Sequence, residues 1–440
     1  MKNLFKILVL LLVVSACSDE VLFRDSFEET EKGNGIDPKM RTMDEVLEIA
    51  SNAASMVAAD GTENGISRGF GRVVDPRSEV VPIGKNLSRG SGGDALLYVV
   101  NYADDNGFAM VSAHKDAPEV LAVTEKGHFS SADDIEIEGF ELWLDETVGY
   151  LDALSKLPID SGGLEWSIDT MRPGIRPKTV RDTVWIKKLK NQVSVVWGQN
   201  WDTIVPDACE GLGCPNFIAG CGPCAIAMAM SYLEKPSSIQ LTYMDDAPVI
   251  DLNWTELKKY LSVRDKKLQP FPTSDYPIRT NLARLFSEIG HRMNSDYSKP
   301  TSTGADYMET PKLLRKLGLI SPSTTWRQGT GVAAYHWMYD KESCITILRG
   351  VDSIGYGHQW ICDGLLNFKL RERYYESSDG GVTWVLKDTS YSEEYYYIHE
   401  NWGFHGACNG YYYHVDPNAR KKMEIIFTFE KNRMYIPIVK

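Results

Sequence analysis

The sequence is short of positive charge: 47 Lys and Arg face 60 Asp and Glu, a net charge of −13. Phosphate binding needs a basic face, so nucleic acid is excluded as a partner. Long apolar runs are also lacking. Ile7–Val14 is the one conspicuous run, and it is too short to span a bilayer as a mature helix, which takes about 20 residues. No internal repeat is present. Cysteine is sparse and, after Cys17, odd in number: 209, 214, 221, 224, 344, 362 and 408. One free, reactive thiol with up to three disulfides is the simplest accounting.

What is present begins with an export signal. Lys2 and Lys6 precede the apolar run, and Val14-Ser15-Ala16-Cys17 follows it. This order resembles a bacterial lipoprotein signal, in which the cysteine is lipidated and becomes the new N-terminus. The expectation is an exported protein tethered to the cell envelope through Cys17, at the outer membrane or cell surface, or released after processing. Export places the chain where disulfides persist.

At 440 residues the chain has room for two or three domains. Residues 1–17 read as signal and 18–42, polar and charged, as a flexible tether. Residues 43–157 form a small α+β unit. It has a helical pattern over Met43–Val57, strand-like runs at Ala95–Tyr102, Gly107–Ser112 and Val120–Thr124, and a second helix over Phe140–Leu157. Residues 158–183 carry Pro158, Gly162, Gly163, Pro173, Gly174 and Pro177 and read as a linker. From 184 to 440, helical patterns at Trp254–Leu261, Asn281–Ile289 and Pro311–Leu317 give way after about 343 to strands, among them Gln359–Leu365, Phe368–Arg373 and Lys422–Phe429. Aromatic residues concentrate in the C-terminal third, which fits a β-rich region. Helices first and strands second imply an α+β domain of two lobes, with a cleft between them.

The chemistry centres on Gly220-Cys221-Gly222-Pro223-Cys224, which opens a helix apolar on every side. Such a helix sits in a core. Its first turn offers free N–H groups and partial positive charge, which favour a thiolate. A thiol there is either a nucleophile or half of a redox pair. A nucleophile needs a base and a group that orients the base. His358, preceded by Gly357 and followed by the apolar Trp360-Ile361-Cys362, lies at the mouth of a strand. Asn401, beside Trp402, can accept the imidazole N–H while the indole shields that bond. Gln199 lies upstream of the helix, and its amide can donate to an oxyanion together with a backbone N–H.

Gln, Cys at a helix start, His at a strand start, then Asn-Trp-Gly: this order resembles the streptopain (C10) family of papain-like cysteine peptidases. The fifteen residues from Cys221 to Pro236, Gly357-His358 with Asp363-Gly364, and His399-Glu400-Asn401-Trp402-Gly403 carry the likeness. Leu97-Tyr98-Val99-Val100-Asn101 and Gly107-Phe108-Ala109-Met110-Val111-Ser112 resemble the family's inhibitory prodomain. The resemblance implies a two-lobed peptidase, helical lobe then antiparallel β lobe, behind a small α+β prodomain. It implies an endopeptidase zymogen acting on proteins or peptides through a thioester acyl-enzyme. Cys221, His358, Asn401, Gln199 and Trp402 are its site residues, and no metal or organic cofactor is needed. The prodomain would be its intramolecular inhibitor, freed by cleavage near Arg176–Arg181.

Three features depart from the family: a Tyr-rich, charged insertion around 370–396, the stretch Phe404–Cys408, and the second thiol, Cys224, on which a plain papain-type Cys-Gly-x-Cys would place the nucleophile instead. Cys221-Gly222-Pro223-Cys224 matches the thioredoxin-type redox motif, which keeps a thiol–disulfide oxidoreductase as the alternative. A catalytically inactive binding protein of the same fold is a further one.

Overall fold

In the computed structural model, the described residues are 39–57, 80–85, 95–131, 137–156, 176–199, 218–259, 276–299 and 302–329, then 331–351, 355, 357–379, 381–392, 394–414 and 433–440. The lipobox with Cys17, the cysteines at 209 and 214, and the expected strand at 422–429 lie outside them. Arg41–Lys440 makes one unit.

The N-terminal part is built on α1 (Met43–Val57) and the strands β1 (Val81–Ile83), β2 (Leu97–Asn101), β3 (Phe108–Ser112) and β4 (Val120–Thr124), followed by α2 (Glu138–Ser155). Every residue of β2, β3 and β4 is buried. Their sequences run apolar without alternation because both faces are covered. The α1 helix lies on these strands and buries Val46, Ala50 and Ala53. On α2, Phe140, Trp143, Leu144, Val148 and Leu151 join the core with Leu97, Val99, Phe108 and Met110.

The second part opens with β5 (Arg176–Leu189) and passes to α3 (Cys221–Leu233). Next come β6 (Ser238–Gln240), β7 (Val249–Asp251), α4 (Trp254–Leu257), α5 (Tyr276–Arg292), α6 (Glu309–Lys316), β8 (Arg327–Gln328) and α7 (Gly331–Asp340). The chain then turns to strands: β9 (Cys344–Val351), β10 (Gly357–Ser377), β11 (Val385–Tyr391), β12 (Tyr395–Asn401), β13 (Gly410–Tyr413) and β14 (Met434–Val439). The architecture is α+β, a helical lobe followed by an antiparallel β lobe.

One sheet carries both parts, in the order β1-β2-β3-β4-β13-β12-β10-β9-β14-β8. The junction is the antiparallel pairing of β13 with β4, where Gly410, Tyr411 and Tyr412 face Thr124, Val123 and Ala122. Side chains alternate across the sheet. Ile345, Ile347, Ile361, Ile436 and Ile438 point toward the core of the helical lobe. Leu348, Trp360, Cys362 and Ile398 point to the opposite core, with α2 and α7. The central strands are thus clamped between the helical lobe and the N-terminal part.

The 21-residue β10 replaces two separate strands expected from the sequence. Its first half pairs β9 and β12, and its second half pairs β5 and β11. The Tyr-rich insertion is therefore a three-stranded arm. Arg176–Arg181, read as linker from its prolines, lies in β5, in register with Glu372–Ser377 of β10. Asp182 bonds to Arg371 and Arg373 across that pairing. Local composition could not show this partner, which comes from nearly 200 residues downstream.

Candidate active site

Five expected site residues converge where α3, β10 and the turn after β12 meet. Gly220 precedes α3 with φ +93°, a conformation that L side chains rarely adopt, and a Cβ there would lie 3.2 Å from the Thr303 carbonyl oxygen. Thr303 in turn donates to the Ile218 carbonyl at 2.6 Å. Glycine lets the chain enter the helix at this angle and leaves Cys221, its first residue, partly exposed. Pro223 follows in the first turn, where a missing N–H breaks no helical bond. Every residue from Gly222 to Leu233 is buried.

His358 is the second residue of β10 and is 2% exposed. Its Nε2 lies 3.3 Å from the Trp402 carbonyl oxygen. A carbonyl only accepts, so Nε2 carries the proton and Nδ1 faces the site. Trp360 stacks on the imidazole at 5.8 Å and 16°. Burial pulls the His358 pKa down. The charge of Cys221, its hydrogen bond to the ring, the Glu138 carboxylate and the Trp402 carbonyl outweigh it and hold the pKa above the ordinary value. Cys221 thus lies within electrostatic reach of the His358 imidazole.

Gln199 is strapped between the two halves of the site. Its N–H donates to the Gly403 carbonyl at 2.8 Å, and its carbonyl accepts from Ala219 N–H, also at 2.8 Å. Its side-chain Nε2 points into the site, where it donates to Glu138 Oε2 at 3.1 Å.

Trp402 is buried under the site. Its indole N–H bonds to the Cys408 carbonyl at 3.0 Å and to the Tyr412 hydroxyl at 3.2 Å. Asn401 takes a different post from the expected one. Its Nδ2 donates to the Val195 carbonyl at 3.1 Å, and its Oδ1 accepts from Gly403 N–H at 3.3 Å. The group that meets the imidazole is the backbone carbonyl of the next residue. A side chain in a turn can serve the imidazole or the turn's own backbone, and here it serves the backbone.

Cys224 is buried, with its thiol 3.6 Å from the Trp197 carbonyl. Burial, and secondarily the charge of Cys221, pushes its pKa far up. Cys221, Cys224, Cys344, Cys362 and Cys408 are all free thiols. The expectation of up to three disulfides is not met among the described residues, because Cys344, Cys362 and Cys408 are packed singly into the interior.

The sequence reading missed two residues of the N-terminal part. Glu138, at the start of α2, places Oε2 3.3 Å from His358 Nδ1 while accepting from Gln199. Gly139 lies against the imidazole itself: a Cβ would meet Trp402 Cε3 at 2.6 Å and His358 Cδ2 at 2.7 Å. Phe140 then packs edge-on against Trp402 at 6.4 Å. No local motif marks Glu138-Gly139. Only their position at the head of α2, docked on the cleft, makes them part of the site.

The peptidase C10 family model matches residues 197–412. The model of the Spi protease inhibitor matches residues 45–149. The chain belongs to the peptidase C10 family. No curated protein matches it. Among solved structures, a fragment of Prevotella intermedia prointerpain A in a cysteine-to-alanine form aligns at 17% identity and a TM-score of 0.48. That alignment covers 81% of this chain and 97% of the fragment.

In this C10 chain the inhibitor domain meets the peptidase through acids placed on buried bases. Glu138 faces His358. Glu125 Oε1 lies 3.5 Å from His399 Nε2. Glu146 Oε2 lies 2.9 Å from Arg433, which is 3% exposed. His399 also meets Asp363 at 2.6 Å, while Val193 N–H holds the other oxygen of that carboxylate at 2.8 Å. Burial opposes charge on His399, but Asp363 and Glu125 overcome it and raise its pKa to about 10. Among the described residues no cluster of His, Cys, Asp and Glu could hold a metal ion.

Proposed function

We propose that this chain is an exported cysteine endopeptidase zymogen whose nucleophile is Cys221. The observation that carries the reading is the convergence of Cys221, at the start of α3, on His358, with the Gln199 amide held by the same Glu138 carboxylate that faces the imidazole. The helix start and the imidazolium stabilise the thiolate. The sulfur attacks the peptide carbonyl, and Gln199 Nε2 with the Cys221 backbone N–H receives the oxyanion. His358 protonates the leaving amine and then draws a proton from water as the thioester is hydrolysed. Trp402 serves by fixing the ring through its carbonyl and by closing the site from below.

The inhibitor domain acts in cis. Glu138 fills the space between His358 and Gln199 that a scissile carbonyl needs, so substrate is excluded while α2 is docked. Cleavage between the two parts frees the cleft. The lipobox Val14-Ser15-Ala16-Cys17 supports export and a lipid tether on Cys17.

The test is Cys221→Ala in the full chain. Self-processing and hydrolysis of a fluorogenic peptide should be abolished while the circular dichroism spectrum and melting temperature stay near wild type. Retained hydrolysis would overturn the assignment. Reduction of insulin disulfides by the wild-type chain, without peptide hydrolysis, would favour the oxidoreductase instead.

A further inference from the structure

The first turn of α3 holds a second thiol that hydrolysis does not use. Cys221 and Cys224 are three residues apart on one helix, and residues so spaced lie on the same face. Regular helix geometry separates their Cα atoms by roughly 5 Å. That falls within the span of about 4.4–6.8 Å that a disulfide bridges. Between them, Gly222 has no side chain to crowd the turn and Pro223 has no N–H to lose.

The surroundings of the two sulfurs differ in a way that assigns them separate tasks. Cys221 is partly open to the cleft, within electrostatic reach of His358. Cys224 is 1% exposed and sits below the floor of the site. The Trp197 carbonyl lies on one side, and on the other a Cβ at Gly403 would come within 3.2 Å of its sulfur. An external reagent reaches Cys221 first. The buried thiol, whose pKa is raised by burial and then by the Cys221 charge, is a poor first attacker. It is placed to resolve whatever forms on its neighbour.

We propose that Cys221 and Cys224 form a reversible redox pair, closed by oxidation into a disulfide within the first turn of α3 that withdraws the nucleophile. The proposal rests on Cys221 being that nucleophile. The oxidant is a small-molecule disulfide. The Cys221 thiolate attacks one of its sulfurs, the S–S bond breaks, and one thiolate leaves. The Cys224 sulfur then attacks the Cys221 sulfur. The mixed disulfide breaks, and the second thiolate leaves with the Cys224 proton. Two protein thiols are oxidised and one external disulfide is reduced to two thiols. A dithiol reverses the sequence. The closed pair also shields Cys221 from irreversible oxidation beyond the sulfenic state.

The test equilibrates the full chain with defined ratios of reduced and oxidised glutathione. Samples are quenched in acid, alkylated after unfolding, and mapped for the peptide carrying both cysteines. A processed sample is assayed in parallel for peptide hydrolysis. In the wild type the expected oxidised product is that peptide lighter by two hydrogens, with neither cysteine alkylated. Past the midpoint, activity should fall about tenfold for each ~30 mV of more oxidising poise and return on reduction. Cys224→Ala should keep the reduced activity and instead accumulate glutathione on Cys221. The proposal is overturned if the oxidised wild type carries glutathione on Cys221 with Cys224 still free, or if the pair stays reduced at every ratio. Mapping the wild type decides this even if the variant folds poorly. A reduced, processed enzyme with both thiols intact but no hydrolysis would refute the peptidase reading and not the redox pair.

Discussion

Adding one methyl group to the inhibitor domain should loosen its hold on the peptidase. In Gly139→Ala the new Cβ would lie 2.6 Å and 2.9 Å from two atoms of the Trp402 ring and 2.7 Å from His358 Cδ2. These distances fall well short of ordinary contact, so α2, the indole or the imidazole must move. Trp402 is tied by two indole bonds and its own N–H, and His358 is stacked on Trp360, so the cheaper movement is of α2. Overpacking of this kind costs about 1–3 kcal/mol. Alanine is the better helix former, by up to ~1 kcal/mol in a helix interior and less in a first turn. The two effects oppose each other, and the steric one is larger. The remaining ~1–2 kcal/mol corresponds to roughly a 5- to 30-fold rise in the undocked population. The assay is the rate at which a peptide-mimicking electrophile labels Cys221 in the full chain, followed by intact mass. Labelling at the wild-type rate, with the fold unchanged, would refute the claim that Gly139 seats α2 on His358.

Asn401→Ala removes the bonds to Val195 and Gly403, so it should destabilise the peptidase by about 1–3 kcal/mol. Because Asn401 does not bond to His358, the alkaline limb of the pH–rate profile should stay put; a clear shift would restore the expected Asn–His role. The His399–Asp363 pair contributes stability with a definite pH sign. The His399 pKa is raised to about 10, so its contribution is complete below the unfolded value near 6.5 and is lost as pH rises through about 10. Melting temperature should therefore decline across that window. Asp363→Asn should flatten the decline and cost roughly 3–5 kcal/mol at neutral pH by leaving a buried imidazolium half-paired. An unchanged slope in the variant would remove this pair as the cause.

Much of the site was legible in the sequence because its parts are local. A cysteine at the start of an all-apolar helix, a histidine behind a glycine at a strand start, and Asn-Trp-Gly in a turn each announce themselves within ten residues. The N-terminal unit was legible for the same reason, since α1, β2, β3 and β4 are short, regular elements in one stretch of chain. The arm was not. Arg176–Arg181 has the prolines of a linker, yet β10 supplies a partner strand from far downstream. Nor was α7 (Gly331–Asp340) or β14 (Met434–Val439), whose positions depend on the cores they complete.

The amino-acid sequence by itself determined which residue types would be brought together, the family, and the order of inhibitor and peptidase parts. Helix starts, strand starts and turns are short-range matters of backbone geometry and periodicity. Only the tertiary structure decided that the Trp402 carbonyl, and not Asn401, meets the imidazole, that Cys224 lies under the floor of the site, and that Glu138-Gly139 occupies the cleft. Each of these depends on which groups face one another across elements far apart in the chain. Burial and hydrogen-bond competition settle that, and they exist only once the sheet joining the two parts has formed.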